Sequence, residues 1–271
     1  MPEGPETKRM ADDISRTVKK KKISSAKFLH PAIEVLNNRN DLLVTDVYSK
    51  GKSIIIRLNI GQSIVTHNQL YGKWTINLLN TNIRHNRKLR IEIVSGKKVA
   101  RLWSATDIVL LNSVDENKHH YLKNLGPDIL SSDTNEKIVL ERLLSKSFVN
   151  RNIGGLLLNQ HFIAGLGNYL RSEILFFSGL MPTIRPNDLP KNRLRNLAES
   201  IKNISVRAYE NKGRTIDNKD FQKRYGNFEN FRLIRHMVFA RVHQPCFYCG
   251  NTIDKIIQNS RRLYLCKTCQ S

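Results

Sequence analysis

Cysteine is scarce in this chain, at four in 271 residues, and acidic residues are few, with Asp+Glu 23 against Lys+Arg 45. There is also no apolar run near the roughly 20 residues of a membrane span, and residues 1–25 lack an apolar signal core. These absences exclude a helical membrane protein and a secreted disulfide scaffold. They predict an intracellular protein whose thiols are reduced or bound to metal. The shortage of acid leaves a formal charge of +22, which points to a polyanionic partner, nucleic acid before an anionic membrane. AT-rich coding, which favours Lys, Asn and Ile, raises the lysine count in the same direction. The length allows more than one core, and there is no internal repeat.

The periodicity changes along the chain. From Glu6 to about Lys20, Met10, Ile14 and Val18 recur every four positions beside Ala11, as in a helix, and the run ends in Lys19 to Lys22. From Ile23 to about Leu111 short β-branched runs alternate with period two. Ser53–Leu58 and Ser63–Thr66 flank a turn, and Leu89, Ile91 and Ile93 lead through Ser95-Gly96-Lys97 into Val99–Trp103. This predicts an antiparallel sandwich or barrel. After Gly126-Pro127 the pattern is helical: Asn135–Ser145, Ile153–Gln160, Asn168–Phe177, and a helix from Pro190 with Leu194, Leu197, Ala198, Ile201 and Ile204 on one face. Residues 211–235 are polar and basic and read as a mobile loop. The expected domains are 1–125, 126–235 and 236–271, the last too small to have its own apolar core.

The small C-terminal segment carries all four cysteines, as Cys246-x2-Cys249 and Cys266-x2-Cys269. Two CxxC turns offer four thiolates to one tetrahedral ion. Structural zinc is the expectation, with rubredoxin-like iron the alternative. The alternating segments Thr252–Ile257 and Arg262–Leu265 predict a hairpin with Gln258-Asn259-Ser260-Arg261 at its tip. An arginine on such an arm is either a solvated surface residue or a phosphate grip. At the other end, MPEGPE puts a proline behind the initiator methionine. Pro5, Glu3 and Glu6 suit a helix start. Removal of Met1 also exposes the Pro2 secondary amine, which titrates near pH 8 and is nucleophilic at neutral pH.

Taken together, MPEGPE, SKGKS at 49–53, HNQLYGKW from His67, GLLLNQHFIAGLGNYLRSEIL from Gly155 and the cysteine tail resemble the formamidopyrimidine-DNA glycosylase and endonuclease VIII family of base-excision repair enzymes. The resemblance spans essentially the whole chain and leans toward endonuclease VIII. It implies an α+β multidomain protein: an N-terminal antiparallel β-sandwich with an N-terminal helix, a helix-two-turn-helix domain and a zinc β-hairpin finger. The activity implied is a bifunctional DNA glycosylase and abasic-site lyase that flips oxidised pyrimidines out of duplex DNA. Beyond one structural zinc it needs no cofactor, and it acts as a cytoplasmic, nucleoid-associated monomer. The alternatives are the purine-lesion branch of the same family and a non-catalytic zinc-stabilised DNA-binding protein.

The same resemblance assigns roles residue by residue. Pro2 is the nucleophile that forms a Schiff base. Glu3 is the acid/base group, and its other reading is a helix-start carboxylate. Lys52, otherwise an ordinary turn lysine, approaches the lesion phosphate and assists proton transfer, and Arg261 is the finger arginine. Glu6 and Glu173 support the site, Glu6 also suiting a simple cap and Glu173 able to bond the terminal amine. Asn168 meets a DNA phosphate or caps its helix. Gln69, Leu70 and Tyr71 either pack in a core or fill the gap left by the flipped nucleotide. The eight histidines, the His119-His120 pair included, read as structural or surface residues.

Overall fold

The first helix, α1 (Gly4–Val18), starts two residues before the apolar periodicity does, because Glu3 is its N-cap and Pro5 fits its first turn. In the computed structural model, which describes residues 2–83, 86–217 and 234–271, the chain divides into two compact units, Met1–Asn124 and Leu125–Ser271. Most of the basic stretch expected as a loop, residues 218–233, lies outside the described residues, as does Met1. No helix among the described residues is long and apolar enough to cross a membrane.

The first unit is an antiparallel β-sandwich. Its strands are β1 (Ser25–Phe28), β2 (Val44–Lys50), β3 (Ser53–Leu58), β4 (Gln62–His67), β5 (Lys73–Leu78), β6 (Leu89–Ser95), β7 (Lys98–Trp103) and β8 (Asp107–Asn112). They form two four-stranded sheets, ordered β1-β6-β7-β5 and β2-β3-β4-β8. Ile54, Ile56 and Ile64 from one sheet meet Trp74, Ile91, Ile93 and Leu102 from the other. Ala11, Ile14 and Val18 of α1 join the same core, which anchors the segment that begins with Pro2 to the sandwich. After β8, Glu116 accepts two bonds from Arg57 (both 2.8 Å) and one from the Ser63 hydroxyl (2.6 Å). Burial pushes the Glu116 carboxyl up, but the bonds from Arg57, Ser63 and Tyr48 outweigh it and hold the group below the usual carboxylate range. This network fixes the 3-10 turn Ser113–Lys118, which delivers His119, His120 and Tyr121.

The second unit contains α2 (Glu136–Leu144), α3 (Ile153–Leu156), α4 (Asn168–Phe177), α5 (Lys191–Glu210) and the hairpin β9 (Asp254–Gln258) and β10 (Arg261–Leu265). The helix expected over Ile153–Gln160 stops at Leu156. Beyond it, Gln160 spends its side chain on the following turn, donating to Leu166 O (2.8 Å) and accepting from Gly165 N–H (3.1 Å). Leu263 and Leu265 of the hairpin sit in the same core as Leu170, Leu194 and Ile201 of the helices. The hairpin therefore shares the helical core rather than building one.

Candidate active site and nucleic-acid interface

In the first unit, Pro2 immediately precedes the N-cap, and the backbone behind it is tied down. Glu3 N–H donates to Glu6 Oε2 (3.1 Å), while Glu3 O accepts from Thr7 N–H (3.0 Å) and from the Thr7 hydroxyl (2.9 Å). Glu6 thus acts as a reach-back cap, and Glu3 is only 6% exposed. The positive end of a helix lies beside a buried carboxylate, and the residue before it carries the terminal amine of a chain lacking Met1.

Lys52 sits in a two-residue turn between β2 and β3, where Lys50 pairs with Ser53 and Gly51 takes a φ of 60°, the conformation that favours glycine. The Lys52 N–H donates to the Tyr121 hydroxyl (3.0 Å), and the Tyr121 ring lies 4.6 Å from the His67 ring. The histidines are not scattered. Asp107 faces His67 Nδ1 (3.9 Å), His119 Nε2 (3.8 Å) and His120 Nε2 (3.5 Å). Burial lowers the His67 pKa, with Asp107 opposing and Lys52 reinforcing, and burial likewise lowers that of His119. Sequence reasoning missed this cluster. Its members lie on β4, β8 and the turn after β8, and only the strand pairing, with His67 opposite Asp107, brings them together.

The segment carrying Gln69, Leu70 and Tyr71 is a loop between β4 and β5. Gly72 N–H donates to Asn68 O (2.7 Å), and a Cβ on Gly72 would lie 2.6 Å from that oxygen, so the closure needs glycine. Gln69 takes a φ of 46°, and its Oε1 accepts from the Thr106 hydroxyl (3.2 Å). Leu70 and Tyr71 are each 70% exposed, so they do not pack in the core. Trp74, two residues after Gly72, is buried in β5 and belongs to the sandwich core.

In the second unit, Gly167 is the N-cap of α4 and Asn168 is its first residue, so Asn168 does not cap the helix. Its amide donates to Arg262 O (2.7 Å) and accepts from Arg171 (2.8 Å), and Arg171, fully buried, also donates to Arg262 O (3.1 Å). The helix start is thereby fastened to β10. Glu173 is 0% exposed and accepts four bonds: from Met237 N–H (2.8 Å), Val238 N–H (2.9 Å), Phe239 N–H (2.9 Å) and the Thr215 hydroxyl (2.5 Å). It clamps two chain segments within its own unit.

The hairpin tip is tighter than the spacing implied. Asn259 and Ser260, at φ 53° and 57°, make a two-residue turn, and Arg261 is the exposed first residue of β10, paired with Gln258. At the base, Cys246 Sγ lies 3.8 Å from Cys269 Sγ and Cys249 Sγ lies 3.4 Å from Cys266 Sγ, with all four sulfurs within 4.8 Å of one another. None is in a disulfide. Four thiolates at ~2.3 Å from one tetrahedral ion stand about 3.8 Å apart, so the cluster fits a metal ion.

The formamidopyrimidine-DNA glycosylase N-terminal domain family matches residues 1–103, and the formamidopyrimidine-DNA glycosylase H2TH domain family matches residues 125–220. Proteins named endonuclease 8 from Escherichia coli and Shigella sonnei are each 36% identical over 273 residues, covering 100% of both chains. Among solved structures, the Lactococcus lactis Fpg protein bound to DNA containing N7-benzyl-Fapy-dG superposes with a TM-score of 0.78 at 21% identity, covering 99% of each chain. The same protein bound to DNA containing an oxidised pyrimidine gives 0.78 at 20%, again over 99% of each chain. Sequence identity over the full length and the shared fold lead to one conclusion: this chain belongs to the formamidopyrimidine-DNA glycosylase and endonuclease VIII family of DNA glycosylases with abasic-site lyase activity.

Proposed function

We propose that the protein excises oxidised pyrimidines from duplex DNA and then cleaves the strand, working as an intracellular monomer. The observation that carries this reading is the start of α1, where Pro2 stands directly before a buried Glu3 whose own backbone is held by Glu6 and Thr7. The Pro2 nitrogen attacks C1′ of the damaged nucleotide with its lone pair. The glycosidic bond breaks, the base leaves with the electron pair of that bond and takes up a proton, and the proline nitrogen loses its own. Glu3 protonates the sugar ring oxygen as the ring opens to an iminium. The cationic nitrogen acidifies the C2′ proton, and its removal expels the 3′-phosphate; a second elimination expels the 5′-phosphate. Lys52 is assigned to the lesion phosphate and to proton transfer.

Leu70 and Tyr71, exposed on a glycine-closed loop with Gln69, suit a wedge that fills the gap left by the flipped base. Their match to the endonuclease VIII pattern favours pyrimidine over purine lesions. Asn168 and Arg261 are assigned to phosphate contacts, and Glu6 and Glu173 to support of the site, Glu173 acting through its clamp. The work divides among three segments: 1–125 for chemistry, 126–235 for grip on the duplex and 236–271 for the finger. The cysteine cluster is assigned zinc, which closes the finger and takes no part in bond breaking.

Borohydride trapping on an abasic-site duplex is the test, since only an amine lyase becomes covalently joined to DNA. The chain without Met1 is expected to trap, and retention of Met1 or Pro2→Gly is expected to abolish trapping while duplex affinity is kept. Undiminished trapping with Met1 retained moves the nucleophile to a lysine, Lys52 first. Excision assays with oxidised pyrimidine and formamidopyrimidine duplexes then decide the lesion class.

A further inference from the structure

A second feature of the sandwich lies next to the exposed loop. Tyr71, Asn86, Arg87, Lys88, Arg90 and Ser104 line an open groove of about 500 Å³. Two of its lining residues are tied by reciprocal bonds, Ser104 N–H to Lys88 O (2.7 Å) and Lys88 N–H to Ser104 Oγ (3.2 Å). Three of the six lining residues are cations and none is a carboxylate. Among the described residues, neither Lys88 nor Arg90 has an acid within ion-pair distance. Arg90 Nε is buried and has no acceptor, which is costly for a charged donor cut off from water. One wall is joined to the loop, because the Arg87 guanidinium donates to Tyr71 O.

We propose that this groove is a phosphate-binding track for the DNA backbone, holding a phosphodiester beside the point where Leu70 and Tyr71 enter the base stack. The inference rests on the wedge reading of that loop. An anionic oxygen in the groove supplies the acceptor that Arg90 lacks. Guanidinium forks suit phosphate oxygens, with Lys88 adding a point charge and Asn86 and Ser104 neutral donors. An open groove admits a polymer passing through, and its attachment to Tyr71 couples phosphate capture to insertion of the wedge.

The test is binding of the full chain to two duplexes, one undamaged and one with a tetrahydrofuran abasic analogue, titrated across a range of salt. Lys88→Gln, Arg90→Gln and the double variant are compared with Lys97→Gln, an exposed change in the turn between β6 and β7, at the far end of β6 from Arg90. Each groove substitution is expected to reduce the slope of log K against log salt by about 0.9 on the lesion duplex, the double variant by about twice that. The undamaged duplex should lose less, and Lys97→Gln should change neither slope. Inorganic phosphate should compete no better than chloride of equal ionic strength, since the site takes a backbone phosphate. Lys88 is exposed, so its variant keeps the test open if Arg90→Gln unfolds. An unchanged slope in a folded variant, an equal loss on both duplexes or strong competition by free phosphate would each overturn the proposal. A wild type that fails to trap on abasic DNA would instead overturn the catalytic reading, because these titrations measure binding alone.

Discussion

Glu3 combines two demands, those of a helix N-cap and of a buried carboxylate next to the proposed amine. Glu3→Gln removes the proton-transfer capacity with little change in shape. Base excision from damaged nucleotides is expected to fall about a hundredfold or more, with less loss of lyase action on preformed abasic sites, where the amine attacks an aldehyde and no base departs. Equal losses in single-turnover assays of the two substrates would return Glu3 to a purely structural role. The imidazoles around Asp107 make a second prediction. Burial depresses the pKa values of His67 and His119 below 6.5 in the folded protein, so at mildly acidic pH the unfolded chain binds more protons than the folded one. Their contribution is present above pH 6.5 and is lost as pH falls through the depressed values. Denaturant midpoints should therefore drop from pH 7 toward pH 5, and replacing His119 with Gln should flatten that drop.

The hairpin and the loop after β4 show what elements contribute apart from stability. Arg261→Ala is expected to weaken lesion binding and turnover with metal content and melting temperature unchanged, since an exposed arginine stabilises little. Arg262→Ala should matter less, because Asn168 and Arg171 hold the Arg262 carbonyl, which survives the substitution. Cys249→Ala should release the metal and disorder the tip, measured as metal per chain and as lost finger signals in NMR spectra. The strands at Leu89–Ser95, the apolar face of α5 and the paired CxxC turns were legible because each repeats a local period or spacing. The end of α3 at Leu156 was not, because the chain beyond it tightens into three-residue turns and then into a bend held by the Gln160 side chain, which bonds Gly165 and Leu166. Asn168 reads as a cap beside Gly165-Leu166-Gly167, yet Gly167 takes that position and frees the amide to reach a strand distant in sequence. The Asp107 cluster and the four donors on Glu173 depend on such distant pairings, which no local pattern encodes.

For the whole chain, +22 of formal charge predicts affinity for DNA that falls steeply with salt, by about 0.9 in the log–log slope for each phosphate neutralised. A flat dependence in duplex titrations would assign the lysine excess to coding bias. The order of the strands has a further consequence, one of timing. β2, β3 and β4 pair in succession through short turns, whereas β1 waits for β6 and β4 waits for β8. Such long closures are slow. The amine at Pro2 is present as soon as the initiator methionine is gone, but the core that seats α1 requires β6 and β7. During refolding, hydrogen-exchange protection of β3 is expected to precede competence for borohydride trapping. A nascent or partly unfolded chain then carries the proposed nucleophile without the sandwich that would direct it, and the topology of the sheet is expected to delay strand-cutting chemistry until the first unit has closed.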